Sequence, residues 1–252
     1  MNNKLWFYVR IAIFALLTII FGVLIRRLPN GYIWTIIPLT QITPALAYLL
    51  FVFIFRDMFV PIKINVNRTI IWKSILAIIV PVLLGGAVYI VGNIYKIDNN
   101  INETIRNFLP NSGRLLLYLI IGSIGEEIGW RSFLKTTLEK RHSVLLSNLI
   151  VGIIWSLWHI DRYNAGLIYW ATFLPMTVSF SIIMAIILKD TMNNIIVSVL
   201  LHAMFNLSFT IFLGNSFMDI RVMTITSVVL LLSAIVTVII NRKYFLMRKD
   251  FA

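Results

Sequence analysis

Residues 115–134 read LLLYLIIGSIGEEIGWRSFL, a run of apolar residues in which two adjacent carboxylates, Glu126 and Glu127, are embedded. About 20 mostly apolar residues are enough for an α-helix to cross the hydrocarbon core of a bilayer. A charge inside such a helix is costly, so a carboxylate found there indicates a functional group or a strongly paired one. The stretch therefore predicts a membrane-spanning helix that carries a polar site.

The composition of the whole chain is that of a membrane protein. Of its 252 residues, 60% are hydrophobic and 13% are charged, whereas soluble domains are about 45–50% apolar and about 25% charged. These values exclude a soluble enzyme and a disordered chain. The net charge of +12 is assigned to membrane topology, and no nucleic-acid partner is expected, because the sequence contains no compact basic module. The absence of Cys removes disulfides and cysteine chemistry.

Apolar segments of sufficient length predict an all-α, polytopic membrane bundle of about eight transmembrane helices, which forms a single integral membrane domain over residues 1–252. The segments lie near residues 6–25, 32–55, 70–94, 113–131, 143–160, 167–188, 195–213 and 222–240. With eight spans both termini share one side, and most Lys and Arg residues of the loops fall on that side. Basic loops favour the cytoplasm, so both termini are predicted to be cytoplasmic in a bacterial plasma membrane. The polar segment 98–111 is predicted to be a surface loop.

Few strongly polar side chains fall within these spans, and two of them form a predicted pair. Glu127 and Arg131 are four residues apart, so they share one helix face. Glu126 is rotated by about 100° from Glu127. Its own face carries Gly122 and Gly129, where another backbone or a substrate can approach closely. Glu126 is therefore predicted to be the reactive group, with Glu127–Arg131 as its support.

The remaining candidates come from two later spans. His202 and Asn206 are four residues apart and present an imidazole and an amide to one point. A hairpin of the fourth and fifth spans would place Glu126 and His159 at nearly the same depth, with Trp155 packed against the His159 ring. Each feature alone is more often structural. Together they supply a base, a second group that handles protons, and donors for an oxyanion, as hydrolysis requires.

The order and spacing of these residues resemble the CAAX protease and bacteriocin-processing family, also called the Abi family of intramembrane endopeptidases. The family motif E-E-x-x-x-R matches residues 126–131, and H-x-x-x-N matches residues 202–206. The motif F-x-x-x-H matches residues 155–159, with Trp155 in place of Phe. This exchange is expected to affect the shape of the pocket rather than its chemistry. The motif-bearing core covers about residues 114–212.

The resemblance implies hydrolysis of a peptide bond in a membrane-associated peptide or protein. The substrate classes it suggests are lipidated proteins and bacteriocin- or pheromone-like precursors. The other expected partner is membrane lipid. Glu126, assisted by His159, is expected to activate a water molecule. His202 and Asn206 are expected to stabilise the oxyanion.

Three questions stay open at this point. The preferred site has no metal, because a zinc bound by Glu126, His159 and His202 would leave Glu127 as the base, and Glu127 already has Arg131 as its partner. Zinc remains the alternative cofactor. A non-catalytic membrane immunity or signalling-partner protein of the same family is the second function considered. A transporter, in which buried Glu and His residues carry protons, is the third.

Overall fold

The computed structural model describes residues 3–29, 37–97 and 100–248. Within these ranges the chain forms eleven α-helices and no β-strand. In chain order the helices are α1 (Asn3–Arg26), α2 (Leu39–Ile54), α3 (Arg68–Ile94), α4 (Ile101–Phe108), α5 (Ser112–Glu127), α6 (Thr136–Glu139), α7 (Val144–Trp158), α8 (Leu167–Ile187), α9 (Ile195–Leu213), α10 (Ile220–Ile240) and α11 (Arg242–Leu246). A π-helix, Ile128–Lys135, joins α5 to α6.

Each predicted span contains one apolar helix. Six helical stretches are long and apolar enough to cross a membrane, judged by length and composition: Lys4–Arg26, Arg68–Ile94, Ile101–Glu139, Leu167–Ile187, Ile195–Leu213 and Ile220–Ile240. The other two, Leu39–Ile54 and Val144–Trp158, are shorter. The prediction of an all-α polytopic membrane bundle is therefore confirmed.

Some boundaries differ from those predicted. The span predicted at 32–55 contains a helix that begins at Leu39, while residues 32–36 lie outside the described residues. The span predicted at 143–160 ends earlier, because α7 stops at Trp158 and a 3₁₀ turn, Ile160–Ala165, follows. The predicted surface loop at 98–111 contains helix α4, none of whose residues is buried, and its residues 98–99 are not described.

The connections between the long helices lie at two ends of the bundle. The terminal end holds the start of α1 and the end of α10, and there Ile195 N donates to the backbone oxygen of Lys63 at 3.0 Å. At the other end, which we call the opposite end, Arg26 pairs with Asp161 at 3.1 Å. These contacts join distant parts of the chain at each end, as expected for helices that run in alternating directions.

Helices α8 and α9 lie at the centre of the bundle, together with the carboxylate-bearing end of α5. The most apolar parts of α8 and α9 are 61% and 50% buried, against 22% for α1, and the buried residues of α5 all lie between Leu119 and Glu127. Helix α2 packs on α5, and a Cβ at Gly125 would lie only 2.6 Å from the backbone oxygen of Gln41. Gly122 and Gly129 face the same part of α2. The close approach predicted at these two glycines is therefore present, made by the side chain of Gln41 at Gly122 and by the backbone of Pro44 at Gly129.

Candidate active site

The helix that carries the two carboxylates changes its geometry directly after them. Helix α5 ends at Glu127, and the backbone continues as the π-helix Ile128–Lys135. Such wider turns are rare and often occur at functional sites. Arg131 Nη1 still donates to Glu127 Oε1 at 3.1 Å, and both side chains are fully buried. The predicted Glu127–Arg131 pair is therefore present.

Glu127 has a second partner, which was not predicted from the sequence. Its Oε1 lies 2.8 Å from Nδ1 of His202. A carboxylate paired with a guanidinium accepts hydrogen bonds only, so His202 donates from Nδ1. Its Nε2 lies on the other side of the ring. The line Arg131–Glu127–His202 thus joins α5 to α9 and fixes the imidazole.

Glu126 is held by Trp155, which proves to be the central aromatic residue of the site. The indole Nε1 of Trp155 donates to Glu126 Oε2 at 2.6 Å. The Trp155 ring lies 5.3 Å from the His202 ring, centroid to centroid, and Arg131 Cζ lies 4.4 Å from its centroid. A Phe has no donor for the carboxylate. The expectation that the Trp exchange affects only pocket shape is therefore wrong, because it adds a hydrogen bond to the candidate base.

His159 stands at the C-cap of α7 instead of inside a span. Its Nδ1 lies 2.8 Å from the backbone oxygen of Trp155, and its ring packs against that of Trp155 as predicted, 5.9 Å between centroids. A carbonyl oxygen only accepts, so the proton of the neutral imidazole sits on Nδ1. This leaves Nε2 as an acceptor, which is the form that can receive a proton from water.

One cavity brings four of the predicted residues together. It measures about 430 Å³, and its lining includes Glu126, His159, His202 and Asn206. Glu127 and Arg131 are buried and contact the cavity residues from behind. A carboxylate, two imidazoles and an amide thus face one space inside an apolar bundle.

The same cavity extends to the opposite end of the bundle. There its lining includes Arg162, which follows α7, and Gly214 and Met218, which follow α9. A second cavity of about 400 Å³ lies beneath α4 and shares Thr210 and Gly214 with the first. The space around the candidate site is therefore continuous with the opposite end of the bundle.

The three candidate zinc ligands are Glu126, His159 and His202. Among the residues that the structure describes, no three His, Asp or Glu side chains are grouped so that they could hold a metal ion. Glu126 is bound to Trp155, and Nδ1 of His202 is bound to Glu127. The described side chains therefore show no ready grouping of zinc ligands, and zinc remains the alternative cofactor, because a zinc-bound imidazole commonly donates its other N–H to a carboxylate, as His202 does to Glu127.

A second buried ion pair lies further along the same helical stretch and was not predicted. Lys135 Nζ is 3.0 Å from Glu139 Oε1, and both side chains are fully buried. Lys135 also donates to Oδ1 of Asn193 at 2.7 Å. From the sequence, Glu139 is a residue at the end of a span beside charged neighbours, and no signal marked it as buried. Neither member of this pair lines the cavity.

Comparison with known proteins matches the part of the chain that holds these residues. Residues 108–208 match the family model described as Rce1-like, type II CAAX prenyl endopeptidase. The chain is 26% identical over 113 residues to CAAX prenyl protease 2 of Methanococcus maripaludis, which is 40% of this chain and 40% of that protein. It is 23% identical over 173 residues to Lysostaphin resistance protein A of Staphylococcus haemolyticus, which is 66% of this chain and 46% of that protein.

The described residues form an integral membrane bundle of helices, and one cavity in this bundle holds the polar residues of the matched segment. Over residues 108–208, the chain is similar to the Rce1-like family of type II CAAX prenyl endopeptidases. The family resemblance predicted from the three motifs is thereby confirmed. The chain spans less than half of the length of each of the two curated relatives.

Proposed function

We propose that this protein is an intramembrane endopeptidase that hydrolyses a peptide bond in a membrane-associated peptide or protein. The observation that carries the proposal is the shared cavity of Glu126, His159, His202 and Asn206. All four residues fall within the segment that matches the CAAX endopeptidase family. Hydrolysis needs a base, an assisting group and oxyanion donors at one place, and this cavity contains those side-chain types.

Glu126 takes a proton from the water molecule that attacks the scissile carbonyl, and the protonated carboxyl then gives this proton to the leaving amine as the C–N bond breaks. One of its oxygens is bound to Trp155, which holds the carboxylate in one orientation. The other oxygen is left to accept a proton from water. His159 assists through Nε2, the acceptor nitrogen of its neutral ring, since its Nδ1 donates to the Trp155 backbone oxygen.

His202 and Asn206 stabilise the oxyanion that forms on the substrate. The amide of Asn206 donates directly, because an amide nitrogen carries two hydrogens. His202 donates from Nε2 when its ring carries both protons, and the adjacent carboxylate of Glu127 balances that charge. Glu127 and Arg131 are positioning residues, because they act on the substrate only through His202 and Trp155.

The direction of access follows from combining the cavity with the predicted topology. Basic residues favour the cytoplasm, so the terminal end is cytoplasmic and the opposite end faces outward. The cavity extends to the opposite end, where Gly214 and Met218 line it. We therefore propose that the substrate is presented at the outer face of a bacterial plasma membrane.

The substrate proposed is a peptide segment beside the bilayer, either lipidated or part of a bacteriocin- or pheromone-like precursor. The name of the Methanococcus relative, a CAAX prenyl protease, supports the lipidated class. The cavity accommodates a peptide segment in size, since ligand pockets commonly measure about 300–1,000 Å³.

The test compares peptides released by cells that express the wild type, Glu126→Gln or no protein. Glutamine keeps the size and polarity of the side chain but cannot act as the base. Peptides that appear with the wild type and not with Glu126→Gln support the proposal. Identical peptide sets for the two proteins, at equal expression, contradict it.

The second candidate function is non-catalytic, as an immunity protein or a membrane partner in signalling. It is favoured by the similarity to a lysostaphin resistance protein, which covers 66% of this chain. This candidate predicts that the cellular phenotype survives Glu126→Ala and His202→Ala in one protein. The endopeptidase proposal predicts that the double variant behaves like the deletion.

A further inference from the structure

Arg162 lies at the outer part of the candidate active-site cavity and has no part in the mechanism above. Among the lining residues that the structure describes, it is the only Lys or Arg. It follows His159 in the 3₁₀ turn, where Arg162 N donates to the backbone oxygen of His159 at 3.0 Å. Such a turn rises about 2 Å per residue, so the Arg162 backbone lies about 6 Å beyond His159.

The charge of Arg162 is only partly neutralised by its neighbours. Its Nε lies 3.3 Å from Oδ2 of Asp161, while Oδ1 of the same carboxylate lies 3.1 Å from Nη2 of Arg26. The carboxylate of Asp161 therefore pairs with two guanidinium groups, and the cluster of Arg26, Asp161 and Arg162 carries a net charge of one positive unit. Asp161 and Arg26 are not part of the cavity lining, so the excess faces the cavity through Arg162.

Apart from the Asp161 carboxylate and the Tyr169 hydroxyl, the groups around the Arg162 guanidinium are aromatic rings and one weak acceptor. Its Cζ lies 5.5 Å from the ring centroids of both Phe173 and Phe217. Its Nη1 points to the sulfur of Met218 at 3.0 Å. A thioether is a weak acceptor, so a carboxylate oxygen that enters the cavity would replace it. Two rings and a fixed guanidinium form a site suited to a planar anion.

We propose that Arg162 binds a carboxylate of the substrate, on the part of the peptide that extends from the cleaved bond toward the opposite end. This inference rests on the proposed endopeptidase function and narrows its substrate class. An extended peptide advances about 3.3 Å per residue, so the carboxylate lies about two or three residues from the cleaved bond. Both a C-terminal carboxylate and an Asp or Glu side chain at that place offer this chemistry.

The test uses three versions of one cleavable peptide: a free C-terminal acid, its C-terminal amide, and the amide with Asp two residues after the cleaved bond. We expect the wild type to prefer the acid or the Asp peptide about tenfold over the plain amide in kcat/KM, the usual size of one charge-assisted contact. In Arg162→Gln this ratio falls to about one. The matched control Arg221→Gln removes an exposed cation that does not line the cavity and keeps the preference. Preference for the acid alone identifies the C-terminal carboxylate as the source.

Binding measured in the Glu126→Gln background separates this inference from the proposed function. The dissociation constants of the same three peptides are compared with and without Arg162→Gln. A binding preference for the carboxylate that disappears with Arg162→Gln supports the role of Arg162. This holds even when the wild type cleaves none of the peptides, a result that would refute the endopeptidase proposal. Cleavage and binding without any carboxylate preference, or a preference that survives Arg162→Gln, overturns the inference and leaves the endopeptidase proposal standing.

Discussion

Two buried ion pairs follow one another on the helical stretch from α5 to α6, and only one of them belongs to the candidate site. Glu127–Arg131 and Lys135–Glu139 have the same four-residue spacing, and all four side chains are fully buried. Each pair also has a third partner on a later element, His202 in the first case and Asn193 in the second. The two arrangements differ in what lies beside them.

The Glu127–Arg131 pair lies behind the cavity, and the Lys135–Glu139 pair binds the turn between α8 and α9. His202, bound to Glu127, faces the cavity together with the carboxylate of Glu126. Asn193, bound to Lys135, belongs to the turn between α8 and α9, where it has φ of 57°. Asp190 and Met192 in that turn also have positive φ. A buried ion pair therefore does not mark an active site by itself; the neighbouring cavity and the extra carboxylate do.

The largest difference between the two pairs is expected when their third partners are removed. His202→Ala deletes an oxyanion donor and should lower kcat by about 10²- to 10³-fold. The matched change Asn193→Gly removes the partner of Lys135 and suits the positive φ of that position. It should leave kcat within about threefold, since it lies outside the cavity. Equal losses of kcat in the two purified variants would contradict the assignment of His202 to catalysis and of Asn193 to structure.

A smaller effect, on stability, is expected from the second pair. Lys135→Met removes the cation that pairs with the fully buried Glu139 and should lower the free energy of unfolding by about 3 kcal/mol. Thermal or denaturant unfolding in detergent measures this change. The control Lys140→Met removes the same charge from an exposed side chain and should change stability by less than about 0.5 kcal/mol. Similar stabilities for the two variants would refute the structural role given to Lys135.

The smallest effect concerns the hydrogen bond between Trp155 and the candidate base. Trp155→Phe restores the usual family residue but removes the donor to Glu126, and we expect kcat to fall about tenfold, the value of one charge-assisted hydrogen bond. Trp130→Phe is the control, because Trp130 is fully buried and its indole nitrogen meets no acceptor among the described residues. Steady-state kinetics that show an equal or larger loss of kcat in Trp130→Phe would contradict the role of Trp155.

The same comparison shows what the sequence can and cannot predict. The spans follow from hydropathy, and the Glu127–Arg131 pair follows from its spacing on one helix, so both were predicted. The contact of Glu127 with His202 and that of Glu126 with Trp155 join residues 75 and 29 positions apart. Such contacts depend on how helices rotate against each other, which hydropathy does not encode. Burial of Glu139 was missed for the same reason, since its burial arises from tertiary packing.

Helix α4 was missed for a different reason. Its sequence INETIRNF is polar enough to resemble a loop, and its eight residues are too few to show a clear helical period. Asn100 caps it by accepting a hydrogen bond from Glu103 N at 3.1 Å. An Asn cap followed three residues later by Glu is a local signal for a helix start, and it could have been used.

In the proposed mechanism Glu126 activates water to cleave a peptide bond. Oxygen-18 labelling follows the oxygen of that water into the product. Purified protein in liposomes is incubated with a peptide mixture in H₂¹⁸O, and the fragments are weighed by mass spectrometry. We expect the wild type to release fragments with one ¹⁸O in the new C-terminal carboxylate. We expect Glu126→Gln, folded and of equal thermal stability, to release them at least about 10²-fold more slowly. Labelled fragments formed at the wild-type rate by Glu126→Gln would contradict this mechanism.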